Sequence, residues 1–233
     1  MGRSESHPRT SAPGACQQGR HRAFERMFPS LGNRLLELAR IPHGVTVLNV
    51  QGDYAVEHLD FVDETFDAVL CTHPLFSDWP DVPSGVREWR RVAKIGGTVG
   101  FIGYGENAFQ PLAALFETRL HRYDIEFAAP IPSYSWRRLS DAETCRDLLR
   151  DAGCEDIEVH VEQLGTYLKD AQEWWDIVCD VNLQSPLSQL AAEPAQRFKA
   201  EHLSEVSALA TSRGIWLNLP AIFAIGRKPG VAA

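Results

Sequence analysis

Short runs of apolar, β-branched residues alternate with amphipathic helical stretches along this chain, and that alternation constrains its fold more than any other feature. Val45-Thr-Val-Leu-Asn-Val50, Phe66-Asp-Ala-Val-Leu-Cys71 and Thr98-Val-Gly-Phe-Ile-Gly103 read as buried strands. Before the first, Phe24, Met27, Phe28, Leu31, Leu35 and Leu38 recur at helical spacing, with Pro29 as an interruption and Ser30 placed to cap a second helix. Between the second and third strands, Val86, Trp89, Val92 and Ala93 mark the inner face of a helix from about Ser84 to Lys94, which Gly96-Gly97 should stop. A helix around Ala108–His121 follows. Ser140-Asp-Ala-Glu143 has the form of a capping box opening a helix that ends at Gly153. Ile157–Val161 is a fourth strand, Asp170–Asn182 and Pro186–Arg213 are helical with a kink or split at Pro194, and Trp216–Gly226 is a last strand. Strands and helices in this order predict an α/β fold, a sheet covered by helices on both faces.

The chain has 233 residues, enough for one sizeable core. Residues 1–20 are rich in Ser, Pro, Gly and Arg and have too little apolar surface to repay ordering, so a disordered tail ahead of one domain over 21–233 is expected. Gly2 and Ser6 fit an N-myristoylation pattern, which a Ser-rich stretch also produces by chance. A formal charge of −8 disfavours partners made of phosphate backbone or anionic lipid. No run approaches the ~20 apolar residues of a membrane span, and the N-terminus lacks the apolar core of a signal peptide. Five cysteines without a C-x-x-C pair suit reduced thiols in a cytoplasmic protein. The eight histidines show no metal-ligand spacing, and no G-x-S-x-G elbow is present.

Five segments carry a family resemblance. They are Gly52-Asp53, Leu59-Asp-Phe61, Glu64-Thr-Phe-Asp-Ala-Val-Leu-Cys71, Arg87-Glu-Trp-Arg-Arg-Val92 and Gly96-Gly97. In order and spacing they resemble the class I S-adenosylmethionine-dependent methyltransferases, most closely the small-molecule type 11 group, and the resemblance extends over about residues 30–228. It implies a Rossmann-like, mostly parallel sheet whose last strand is antiparallel. It also implies a ligand site beyond the carboxyl ends of the strands, where open α/β sheets bind, with Asn49, Asp53, Tyr54 and Cys71 on the cofactor side. In the family, an acid at the place of Asp53 accepts a hydrogen bond from the adenine amino group; Gly52-Asp53 is equally good turn chemistry.

The departure from the family is as informative. Its first strand is normally followed by a glycine-rich turn, a helix, a second strand ending in an acid that grips the ribose, and another helix. Here Asn49 stands where the family usually has Asp, and only Gln51 separates Val50 from Gly52-Asp53. A helix-strand-helix excursion cannot fit, since even one βαβ unit takes ~30 residues. The fold is therefore expected to be truncated by that unit, with S-adenosylmethionine binding weakened or lost. Gly97, Gly100, Gly103 and Gly105 lack the G-x-G-x-x-G spacing that would replace the turn, and read instead as close packing and a strand-end turn.

For chemistry, His73 follows the second strand on the ligand side and is the best-placed general base, or else a loop histidine bonded to a carbonyl. Tyr104, with Glu106, leaves the third strand on the same edge and could orient a substrate or form a polar rim. Trp79, Trp136, Trp174 and Trp175 fall outside the strands and could line a pocket for a flat, apolar substrate or fill core; adjacent on a helix, Trp174 and Trp175 cannot face one way. Two functions are carried forward. One is methyl transfer to a small-molecule O, N or C nucleophile. The other is a methyltransferase fold that no longer uses the cofactor and binds or cyclises a small apolar molecule, or serves as a partner subunit.

Overall fold

A computed structural model describes residues 28–50, 58–74, 81–125, 139–180, 183 and 185–230. The predicted tail, Phe24 and Met27 lie outside the described residues. Helix α1 (Phe28–Ala39) leads into β1 (Val47–Asn49), β2 (Phe66–Pro74), α2 (Val82–Val92), β3 (Ala93–Tyr104), α3 (Leu112–Arg122), α4 (Ala142–Asp151) and β4 (Glu155–Glu162). The chain continues through β5 (Gly165–Leu168), α5 (Ala171–Asp180), a 3-10 turn (Ser185–Gln189), α6 (Ala192–Ser207), β6 (Ile215–Asn218) and β7 (Ala221–Arg227). The main sheet has the order β1-β2-β3-β7-β4. β1, β2 and β3 are parallel, and β7 runs antiparallel to both β3 and β4. This is the expected α/β, mostly parallel, Rossmann-like sheet with an antiparallel last strand.

The layers follow from which side chains each strand presents. Ala68, Leu70, Ile102, Phe223 and Ile225 pack on Leu31 and Leu35 of α1. Val69, Cys71, Val99, Phe101 and Ala224 face the opposite way, onto Val86 and Trp89 of α2 and Leu148 and Leu149 of α4. Alternating residues thus serve two buried faces, which is why these strands read as continuous apolar runs. Helix α4 ends as its glycine foretold. Gly153 takes φ +82°, its N–H donates to Arg150 O at 2.8 Å, and the Cys154 N–H reaches Leu149 O at 2.9 Å, a paired closure that satisfies two orphan carbonyls. Its start lies one residue later than predicted: Asp141, not Ser140, is the N-cap and accepts from the Thr144 N–H at 2.8 Å.

Three other boundaries differ from the sequence reading. Helix α2 stops at Val92, ahead of Gly96-Gly97, which lie inside β3. What ends the helix is strand pairing of Ala93 with Phe66, with the Lys228 ammonium donating to the carbonyls of Arg91 (3.2 Å) and Ala93 (2.9 Å). The segment 186–213 is a 3-10 turn followed by α6, with the break ahead of Pro194, in the first turn of α6 where its missing N–H costs nothing. The closing strand is two strands, β6 and β7, parted at Leu219-Pro220, and β6 pairs with the unforeseen β5 in a separate antiparallel ribbon.

That ribbon belongs to a cap of α3, α5 and α6 built on a second core, including Tyr104, Phe109, Phe116, Trp174 and Phe198. The cap is bonded to the carboxyl end of β3: Gly105 N–H to Pro220 O and Phe109 N–H to Asn218 O, both 2.8 Å. Arg119, nearly buried, joins α3 to α6 through Glu201 and Glu205. His202 sits fully buried among Phe116, Phe198, Trp174 and Trp175, where its Nε2 accepts from the Trp174 indole N–H at 2.8 Å. The indole is donor only, so the ring is neutral with its proton on Nδ1.

Burial pulls the His202 pKa from 6.5 to about 4, against a smaller opposing pull from Glu205. The unfolded chain therefore binds the extra proton between these values, so this histidine's contribution to stability is complete above pH 6.5 and is lost as pH falls toward 4. We expect urea denaturation of wild type and His202→Gln, which can still accept from Trp174 but does not titrate, to diverge across that window by about 3 kcal/mol. Parallel pH profiles would refute this.

Candidate functional site at the carboxyl edge

The carboxyl ends of β1, β2 and β3 meet at one edge of the sheet, beside the cap. β1 is tied to β2 at both ends. At its start, the Thr46 N–H donates to Asp67 Oδ2 at 2.9 Å, and Lys94 Nζ holds Asp67 Oδ1 at 2.9 Å. Those contacts, the Lys94 hydrogen bond first, hold the Asp67 carboxyl below its usual range. At its end, the Val50 N–H reaches Leu70 O at 2.8 Å, and Asn49 Oδ1 accepts from both the Thr72 hydroxyl (2.9 Å) and the Thr72 N–H (3.3 Å). Among the described residues no strand lies beyond β1.

β2 is irregular where it reaches this edge. Cys71 is opposite Phe101 but Pro74 is opposite Ile102, so Thr72 and His73 form a two-residue bulge, a device that re-aims side chains beside sites. The Cys71 thiol donates to His73 O at 3.1 Å. Cys71 is fully buried, which pushes its thiol up to about 12, so it stays protonated near neutral pH and is no nucleophile. His73 is half-buried, and burial alone lowers its pKa; its ring is therefore neutral near pH 7 and able to accept a proton. Tyr104 is wholly buried in the cap core, its ring 5.2 Å from that of Phe109, and burial drives its phenol well above the ordinary range. It remains a phenol rather than a phenolate.

Asp53, Tyr54, Trp79 and Trp136 lie outside the described residues. Glu106 is exposed at the end of β3. Trp174 and Trp175 are both buried in the cap core, so both fill it. Gly103 confirms the packing role read for it, because a Cβ there would stand 2.8 Å from Leu139 O. The described residues hold no group of three metal-ligating side chains and no helix long and apolar enough to cross a membrane. An open hollow of about 500 Å³ between α3 and α6 is lined by Arg119, Arg122, Tyr123, Asp124, Arg197 and Glu201. Its arginines are already paired with Glu193, Glu201 and Glu205, so it is a charge-balanced seam.

The residues that sequence reasoning missed anchor the loop leading into β2. Glu88, buried on α2, accepts from the Leu59 N–H at 2.7 Å. Arg91, one turn on, donates to Glu88 (2.6 and 2.8 Å), Asp63 (2.5 Å), Leu59 O (3.0 Å) and Phe61 O (2.8 Å). Arg91, foremost, holds the Glu88 carboxyl below its ordinary range. The i,i+3 spacing of an acid and an arginine inside the Arg87–Val92 motif was the available signal.

Residues 33–101 match the family model described as a methyltransferase domain. The match runs from α1 into β3 and marks that part of the chain as similar to methyltransferase domains. A candidate methyltransferase from an antibiotic biosynthesis pathway of Anabaena variabilis is 12% identical with a TM-score of 0.51, over 84% of this chain and 96% of that one; at that identity it speaks for the fold alone. Two further solved structures are similar over most of the chain. A candidate methyltransferase from Bacillus halodurans is 19% identical, with a TM-score of 0.49, over 85% of this chain and 99% of that one. The [4+2]-cyclase SpnF is 14% identical, with a TM-score of 0.44, over 86% and 80%. No curated protein matches the sequence.

For a methyltransferase fold, the described residues fit the cofactor only in part. Asn49 is present at the end of β1, but its Oδ1 is committed to Thr72, and no described strand beyond β1 brings a carboxylate to a ribose. The loop clamp makes a direct prediction. Arg91→Ala leaves Glu88 without its cation and the carbonyls of Leu59 and Phe61 without their donor, and should cost about 2–4 kcal/mol in urea denaturation. Arg91→Lys should recover only part, because an ammonium cannot reproduce the planar fork. Full recovery by lysine would show that charge alone holds the loop.

Proposed function

We propose that this chain is an S-adenosylmethionine-dependent methyltransferase of small-molecule O, N or C nucleophiles, with a reduced grip on its cofactor. The observation that carries the reading is the match of residues 33–101 to a methyltransferase domain, on a sheet of order β1-β2-β3-β7-β4 with β7 antiparallel. When bound, S-adenosylmethionine supplies an electrophilic methyl group. This chain's share is to hold the acceptor in line at the carboxyl edge, between strand ends and cap, and to take its proton. His73 is the base in this reading, neutral because burial disfavours its charged form. Asn49 and Cys71 lie at the strand ends beside it, Tyr104 stays inside the cap core behind it, and Asp53 and Tyr54 are the residues that the family resemblance assigns to the cofactor.

Only residues 50–65 lie between β1 and β2, so the ribose-gripping unit has no room. Loss of two charge-assisted hydrogen bonds, at ~1.5–3 kcal/mol each, weakens binding by several orders of magnitude. The place of β1 at the sheet edge among the described residues also favours a second reading, a fold that has given up the cofactor and binds or cyclises a small apolar molecule or serves as a partner subunit.

Isothermal titration of the full chain with S-adenosylmethionine separates the two. The first reading expects a dissociation constant between about ten micromolar and one millimolar, and the absence of binding up to a millimolar excludes it. Transfer of a labelled methyl to any acceptor excludes the second. Once an acceptor is found, His73→Gln should slow transfer by about 10²–10⁴-fold, and the wild-type rate should fall as acidification protonates His73, below pH 6.5.

A further inference from the structure

Three elements converge on the two-residue bulge that carries His73. From β1, Asn49 Oδ1 takes both the hydroxyl and the backbone N–H of Thr72, at 2.9 and 3.3 Å. From α1, Gly32 approaches so closely that a Cβ there would lie 3.0 Å from Thr72 Cβ. From β2 itself, the Cys71 thiol donates to the His73 carbonyl at 3.1 Å. A bulge surrenders ladder hydrogen bonds and needs other partners to hold one shape. Here the Asn49 side chain reaches across from β1 and grips the residue immediately before the histidine.

We propose that Asn49 is a positioning residue for His73, acting through Thr72 to fix the bulge that presents the imidazole at the carboxyl edge. This rests on the reading of His73 as the base, and it gives Asn49 work distinct from contacting a ligand. An amide suits the task. Its carbonyl oxygen accepts two hydrogen bonds, and unlike a carboxylate it places no negative charge beside a histidine that must stay neutral. A hydroxyl at position 72 is the matching requirement, since it supplies the shorter of the two bonds.

The test reads the His73 ring directly, in the full chain without cofactor or acceptor. Histidine-labelled protein is titrated by ¹H–¹⁵N NMR from pH 4 to 9, with the His73 resonance assigned from His73→Gln. Asn49→Ala should move the ring shifts at high pH and raise the titration midpoint by about half a pH unit or more, as the loosened bulge admits water. Thr72→Val, nearly isosteric, should move both in the same direction by less, and Thr72→Ser, which keeps the hydroxyl, should restore the wild-type values. If Asn49→Ala does not fold, the Thr72 pair decides alone. A His73 ring indifferent to Asn49→Ala and Thr72→Val overturns the proposal, as does a Thr72→Ser that behaves like Thr72→Val. Because no turnover is measured, failure to bind S-adenosylmethionine would remove the methyltransferase reading and leave this result standing.

Discussion

Parallel pairing of β2 with β3 is the interaction on which the rest of the molecule hangs. β3 is buried from Gly97 to Tyr104, paired with β2 on one side and β7 on the other, and each of its faces has its own helices. A strand so enclosed has no solvent-facing residue to spare, so beyond Thr98 its sequence to Tyr104 is aliphatic, aromatic or glycine. Because β7 runs antiparallel to β3, the chain entering β7 does so at the carboxyl edge, where Pro220 and Asn218 hold residues 105 and 109. One pairing choice therefore puts the cap beside the strand ends and gives the site its second wall.

The same sheet explains why the chemistry at that edge is sparse. Burial silences most of the groups that could react. Cys71 is held as a thiol with a pKa of about 12, Tyr104 as a phenol, and His202, in the cap, as a neutral ring with a pKa of about 4. His73, on the bulge, is half-buried, close enough to solvent to exchange protons and sheltered enough to remain neutral. The charged residues of the Arg87–Val92 segment serve structure instead. Glu88 and Arg91 spend their hydrogen bonds on the backbone and the acid of residues 59–63, fixing the stretch that leads into β2.

Much of the fold was legible in the sequence because its signals are local. The capping acid near Ser140, Gly153 at the helix end, and the apolar runs at 45–50, 66–71 and 98–103 each act through neighbours a few residues away. The candidate site was less legible. His73 and Asn49 could be picked from strand ends, but nothing near Asn49 in sequence announces that its carbonyl would be claimed by Thr72 on the next strand. Trp175 reads as a possible pocket wall until α5 is seen packed on α6, with both indoles in the cap core.

The sequence by itself determined the α/β layering and the direct passage from β1 to β2, since periodicity and chain length are properties of a linear string. Tertiary structure decided the splitting of 216–226 into two strands, the β5–β6 ribbon, the arrest of α2 ahead of its glycines, and the bulge beneath His73. Each depends on which distant backbone arrives to share hydrogen bonds. The partner of a strand lies tens of residues away, and its arrival overrides local preference wherever a buried N–H or carbonyl would otherwise go unpaired.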